Sequence, residues 1–275
     1  MPTGATGSPL RVKVSQVEEH NGAGSGEAER GGLPQRVSLL LEMREGDVVE
    51  RITTAEAVAR ALDLAANPGL TVLGITGPPG AGKSSLAASV VAAVEGAVLV
   101  GMDGFHLAHR VLEERGLVEV KGAPETFDAA GYVALLRRVR GLDPSTGSGH
   151  RGLDRPWGLD RLDQPVWAPE FRRDIEDAVA GAVAVTAEHR LLVTEGNYLL
   201  LDVAPWDEVR GLLDACWYVD LADPDRRTRL QARHERYGRS PDEARERTLG
   251  SDEHNAALVA ATRDRADLLV VESLD

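Results

Sequence analysis

Lysine is nearly missing from this chain: Lys13, Lys83 and Lys121 stand alone beside many arginines. An Arg-rich face is therefore weak evidence of a binding site here, because arginine serves wherever a cation is wanted. Cysteine is reduced to Cys216, which excludes an internal disulfide and fits a reducing cytosol. Positive charge is in deficit. With 31 Lys and Arg against 44 Asp and Glu, the formal net charge is −13, which argues against a general nucleic-acid or anionic-membrane surface. A phosphate site would have to be a local basic pocket in an acidic body. No apolar run approaches the ~18 residues needed to cross a bilayer, and "MPTGATGSPL" lacks the apolar core of a signal peptide. The expectation is a cytoplasmic protein with no membrane partner and no nucleic-acid partner. What is present, 275 residues at 43% hydrophobic, suffices for a sizeable core in one large domain or two small ones.

Residues 1–35 are rich in Gly, Ser, Glu and Pro without periodicity and read as a disordered tail. Residues 36–69 are expected to hold a hairpin, "RVSLLLEM" returning as "VVERI", and then a helix. Met43 offers an alternative translation start. "TTAE", Thr53 to Glu56, is a capping box, and Asn67, Pro68 and Gly69 end its helix. From residue 70 to 275 strands and helices alternate. "TVLGITG", "AVLVGMD", "RLLVTEG", "CWYVDLA" and "ADLLVV" read as buried strands. Tyr132, Leu135, Leu136 and Val139 form one helical stripe. Phe171, Ile175 and Val179, four apart after Pro169, predict another. Residues 141–167 show no clear period; Trp157 and Trp167 there read as anchors of a long loop. Asp223–Pro224 and Ser240–Pro241 open two further helices, stopped at Gly238 and Gly250. This alternation predicts a three-layer α/β fold on a five-stranded parallel sheet, with ligands beyond the strands' carboxyl ends.

The chemistry starts at "GITGPPGAGKSS". Gly77, Pro78, Pro79, Gly80, Ala81, Gly82, Lys83 and Ser84 fit G-x-x-x-x-G-K-[S/T], with Ser85 following. Glycines let successive N–H groups turn inward around phosphate oxygens, and the next helix aims its positive end at them. Lys83 suits the β- and γ-phosphates and Ser84 a Mg²⁺ ion. A chance glycine-rich turn is the alternative, and the strand-then-helix context argues against it. Motors, switches and transferases all use such a loop. No N-K-x-D stretch is present, which removes the usual GTP switch. Glu195 ends "LLVTE", where any of the three classes would hold the metal's hydration shell; a solvent-facing glutamate is the bland reading. Asp103 ends the second strand, on the same side as the loop. A carboxylate there can accept the proton of an attacking hydroxyl, which a transferase needs and a motor does not. An Asp before a Gly can also be a simple turn.

Arg226, Arg229, Arg233 and Arg236 recur at three- and four-residue steps, one basic face of the helix that ends at Gly238, within an expected lid over about 226–250. Such a face is able to close over a transferring phosphoryl group; a solvated helix is the alternative. Lys121 suits an acceptor contact, or is an ordinary loop lysine. His106 lies three residues after Asp103, placed to orient it or touch an acceptor. With His109 it makes no zinc pair, since no third ligand is near. Tyr198 lines an acceptor pocket or packs in the core.

Taken in order, "GPPGAGKSS", "MDGFHL", "KGAPETFD", "TEGNYLLLD" and "RLQARHERYGRS" resemble the P-loop small-molecule kinases that include uridine kinase and the bacterial-type pantothenate kinase, with sugar-kinase-like relatives. The resemblance spans about residues 70–273. It implies an ATP- and Mg²⁺-dependent transfer to a hydroxyl of a small metabolite, with Asp103 as base. It sets Lys121, Gly122, Pro124, Glu125 and Asp128 near the acceptor, and Glu195 on the metal strand. It makes Arg233, Arg236 and Arg239 the arginines of a lid, with His234 where uridine kinases have aspartate. It leaves a homodimer open. The rival reading is a P-loop ATPase acting as a regulator or nucleotide sensor with no phosphoryl acceptor.

Overall fold

Strand β1 (Arg51–Thr53) runs straight into helix α1 (Thr54–Ala65). The start is fixed chemically: the Thr53 hydroxyl accepts the Glu56 N–H at 3.3 Å, and the Glu56 carboxylate accepts the Thr53 N–H at 2.7 Å. The capping box read from the sequence is formed. The computed structural model describes residues 49–141 and 164–272. The tail over 1–35, the "RVSLLLEM" half of the expected hairpin, Met43 and Trp157 lie outside the described residues.

The chain continues through β2 (Thr71–Thr76), α2 (Lys83–Ala93), β3 (Ala97–Leu99), α3 (His109–Arg115) and α4 (Ala129–Val139). There follow β4 (Val166–Arg172), β5 (Asp177–Val185), β6 (Leu191–Glu195) and β7 (Ala215–Val219). Helices α5 (Asp223–Arg236), α6 (Pro241–Leu249) and α7 (Ser251–Ala260) lead to β8 (Leu268–Val271). One parallel sheet has six strands in the order β1-β8-β7-β2-β6-β3. The expected count of five missed β1. That strand is the end of "VVERI", and it pairs in parallel with β8, Arg51 opposite Leu269. Three residues carry no period of their own, and the partner lies at the far end of the chain.

Side chains alternate across the central strands as the pleat requires. Leu73, Ile75, Leu191, Val193, Trp217 and Val270 face one layer, with Ala57, Leu86 and Val90 from α1 and α2. Val72, Leu192, Cys216, Tyr218 and Leu269 face the other, with Tyr132 and Leu136 from α4 and Val259 from α7. Both faces are covered, so the strands read as near-continuous apolar runs. Polar pins cross this core. The Tyr132 hydroxyl lies 2.7 Å from Thr194 Oγ1, which donates to the Val100 carbonyl at 2.6 Å, tying α4 and β6 to the end of β3. Tyr132→Phe is expected to cost about 1 kcal/mol. A lower urea midpoint at unchanged m-value would show it.

Residues 169–179 are not the helix their spacing predicts. They belong to the antiparallel hairpin of β4 and β5, Phe171 opposite Ala178. The run "DAVAGAVAV" alternates with the period of a strand, and the i, i+4 spacing of three apolar residues was a coincidence across a turn. Pro169, lacking an N–H, sits where the register shifts between Ala168 and Glu170. Trp167 is not an anchor; it stands exposed on β4.

Candidate active site

Strand order places the chemistry. The phosphate loop follows β2, Glu195 ends β6, and Asp103 follows β3; β6 lies between β2 and β3. Glu195 is thus flanked by the loop on one side and by Asp103 on the other, at the carboxyl ends where ligands of such sheets bind.

Gly77, Gly80 and Gly82 all take positive φ, at 146°, 85° and 102°. At Gly80 the space is closed as well: a Cβ would stand 2.7 Å from the Arg226 carbonyl oxygen. Lys83 is buried and its Nζ donates to the Pro78 carbonyl at 3.1 Å. Burial pushes its ammonium down to about 8, with Arg233 and Arg226 acting the same way and Glu195 and Asp103 against them. A bound polyphosphate would repay that desolvation.

Ser84 Oγ donates to Glu195 Oε1 at 3.1 Å. Burial raises Glu195 above the usual carboxylate range, and the like charge of Asp103 adds to it, against Lys83, Ser84 and Arg233. A hydroxyl and a carboxylate short of positive charge suit a Mg²⁺ ion. Among the described residues no group of three His, Cys, Asp or Glu could hold a metal unaided. The pair fits a magnesium ion whose remaining ligands are phosphates and water.

Asp103 sits in a 3-10 turn, Met102–Phe105, and its side chain is 38% exposed. Its charge acts on both Lys83 and Glu195, and strand order sets all three at the same carboxyl edge of the sheet. Gly104 explains the turn: a Cβ there would stand 2.5 Å from the Pro169 carbonyl oxygen, so the hairpin docks directly on this backbone. His106 Nε2 lies 4.0 Å from Asp103 Oδ1, and its ring stacks on Phe127 at 3.9 Å. Desolvation lowers the imidazole below its ordinary value.

Sequence reasoning missed Arg173. It stands in the turn between β4 and β5, with Nη2 3.6 Å from Asp103 Oδ2. Only the hairpin brings it there, and nothing near residue 173 in the sequence signals an acid partner seventy positions earlier. Lys121 is also held by this turn: Nζ donates to the Glu176 carbonyl at 3.0 Å and lies 5.1 Å from the Phe171 ring centroid. Tyr198 is buried, its hydroxyl donating to the Gly122 carbonyl at 2.6 Å. It supports the Lys121 segment from the core side. Asp128 caps α4, accepting the Gly131 N–H at 2.8 Å.

The arginine face divides in two. Arg226 is fully buried, bonded to Asp223 at 3.1 Å, Glu253 at 2.6 Å and the Pro79 carbonyl at 3.4 Å. Arg229 pairs with Glu272 at 2.6 Å. These two are structural, a correction to the uninterrupted basic face; helical spacing gives a face but not what covers it. Arg233, Arg236 and Arg239 make no ion pair among the described residues. Arg229, Ala232, Arg233, Arg236 and Tyr237 line a recess of about 320 Å³. His234, in the place of the lid aspartate, bonds Asp252 at 2.7 Å and so ties α5 to α7.

A parallel sheet with a phosphate loop after its central strand, and two acids facing that loop across the switch point, defines a P-loop nucleotide-binding protein. Within that class the chain belongs to the P-loop kinases of the uridine kinase and bacterial-type pantothenate kinase family. It is 32% identical over 168 residues to "ATP-dependent kinase-like protein notR'" of Aspergillus versicolor, covering 59% of this chain and 88% of that one. It is 29% identical over 227 residues to "Putative uridine kinase C227.14" of Schizosaccharomyces pombe, covering 78% and 88%. Among solved structures, a "putative fructose transport system kinase from Silicibacter sp. TM1040" matches with TM-score 0.64 and 34% identity, over 79% of this chain and 98% of that one. No protein-family model matches the chain. No helix among the described residues is long and apolar enough to cross a membrane.

Proposed function

We propose that this chain transfers the γ-phosphate of ATP, with Mg²⁺, to a hydroxyl of a small metabolite such as a nucleoside, a sugar or a pantothenate-like alcohol. The observation that supports the reading is a part-exposed Asp103 at the sheet edge shared with the phosphate loop and Glu195, its charge acting on Lys83 and Glu195. A motor has no use for a part-exposed carboxylate at that point.

In this reading the loop amides from Gly77 to Ser85 and the start of α2 hold the β- and γ-phosphates, and Lys83 neutralises them. Ser84 and Glu195 would hold the metal, which when bound would offset phosphate charge. Asp103 takes the acceptor's O–H proton. The freed oxygen forms its bond to the γ-phosphorus, the bond from phosphorus to the bridging oxygen breaks, and that electron pair leaves on ADP. Arg233, Arg236 and Arg239, without ion pairs among the described residues, close over the transferring group and keep water out, since hydrolysis would otherwise compete. His106 and Lys121 sit on the acceptor side of Asp103.

The test is an ATP-consumption screen over nucleosides, sugars, pantothenate and related alcohols, with products identified by mass. One acceptor should gain a single phosphoryl group per ADP formed. ADP formed at the same rate with every acceptor and with none would instead favour a regulatory ATPase.

A further inference from the structure

Arg173 is an unusual cation for this molecule. Its guanidinium lies 5.8 Å from the centroids of both Phe171 and Tyr237, spanning the hairpin turn and the end of α5. Among the described residues it makes no hydrogen bond, and its one ion pair is the 3.6 Å approach to Asp103. A planar guanidinium backed by aromatic rings, with its N–H edge unspent, is preorganised for bidentate binding of a carboxylate or phosphate. Lys121 approaches the Phe171 ring at 5.1 Å, and both cations act on His106. The His106 ring, stacked on Phe127, stands beside them. Three nitrogen-bearing groups from three separate segments thus gather beside one acid. Arg173 and Lys121 each have one carboxylate partner, Asp103 and Glu176, and each pair stands at 3.6 Å, so neither cation is held by a close carboxylate.

Resting on the kinase reading above, we infer that the acceptor carries an acid group, carboxylate or phosphate, besides its hydroxyl, and that Arg173 binds this group and makes the enzyme prefer acids to their neutral counterparts. Arg173 then lies between two anions, the acceptor's and Asp103, and fixes the distance from one to the other. The hydroxyl is thereby presented to Asp103 with its own acid group held away from the incoming polyphosphate. Lys121, also beside Phe171, supports the same group.

The experiment compares matched pairs: glycerate with glycerol, pantothenate with pantothenol, and fructose 6-phosphate with fructose. Phosphorylation of each is measured for the wild type, Arg173→Met and Arg173→Lys. In the wild type the acid member should lead by about 10²-fold in kcat/KM. Arg173→Met should bring that preference within about threefold, chiefly through KM, and Arg173→Lys should restore part of it. A carboxylate or a phosphate source is told apart by which pair responds. Equal rates for both members of every pair, or an equal loss on both in Arg173→Met, would overturn the inference and leave Arg173 as a partner of Asp103 only. Calorimetric titration of the same compounds into protein saturated with a non-hydrolysable ATP analogue separates the two readings. Acid binding that needs Arg173, without turnover, would keep the anion site and sink the kinase. No acid binding at all would sink the anion site.

Discussion

Lys83→Met is expected to abolish phosphoryl transfer and, at the same time, to make the protein harder to unfold. The loss follows from removing the one ammonium aimed into the phosphate loop; a single donor of this kind is worth about 10²–10³-fold in kcat. The gain follows from burial. The ammonium is displaced from 10.5 to about 8, chiefly by desolvation. That displacement corresponds to about 3 kcal/mol, which the folded state gives up to keep Lys83 charged at pH 7. Methionine fills nearly the same volume without a charge. Between pH 8 and 10.5 the unfolded chain binds a proton that the folded one has lost, so wild-type stability rises through this window. The advantage of the variant should therefore be full at pH 7 and fade by pH 10.5. Urea unfolding of both proteins at the two ends of that range checks it. Equal stability at pH 7 would mean the ammonium is solvated in the empty loop. ATP, which supplies the missing counter-charge, should stabilise the wild type more than the variant.

Asp103→Asn should lower kcat by about 10²–10⁴-fold, the range of a general base, while leaving ATP affinity within a few-fold. Asparagine keeps the shape of the side chain and loses the proton acceptor. Glu195 would also be relieved of the like charge that helps raise it, so metal-dependent ATP binding should not weaken through that route. Product formation by mass and ATP binding by calorimetry separate the two quantities. Turnover surviving at wild-type rate would remove Asp103 from the chemistry and return the chain to the regulatory ATPases.

What could be read in advance was what is local. The phosphate loop declares itself because its glycines, its lysine and its serine are consecutive and act through their own backbone. The capping box at Thr53 and the Ser240–Pro241 helix start are equally local, and both form. Asp103 and Glu195 were legible because each ends an apolar run, and strand ends in a parallel sheet share one edge. The hairpin was not, because Phe171, Ile175 and Val179 fit a helix as well as a turn, and only pairing with distant backbone decides between them. Arg173 was lost with it. Arg226 was misjudged for a related reason: its period is that of Arg233, but Glu253 and the Pro79 carbonyl cover the first, while the second has no ion pair among the described residues.

Arg226 has a mechanical consequence. One guanidinium grips the phosphate loop through Pro79, its own helix through Asp223 and the next-but-one helix through Glu253, while Leu230 is packed one turn on. The first half of α5 is clamped to the loop and has no freedom to swing as a rigid arm. His234 repeats the clamp further along by its bond to Asp252, so any opening and shutting of the proposed cover is confined to the stretch beyond it, and Arg233 stays with the cradle while Arg236 and Arg239 lie past the last tie.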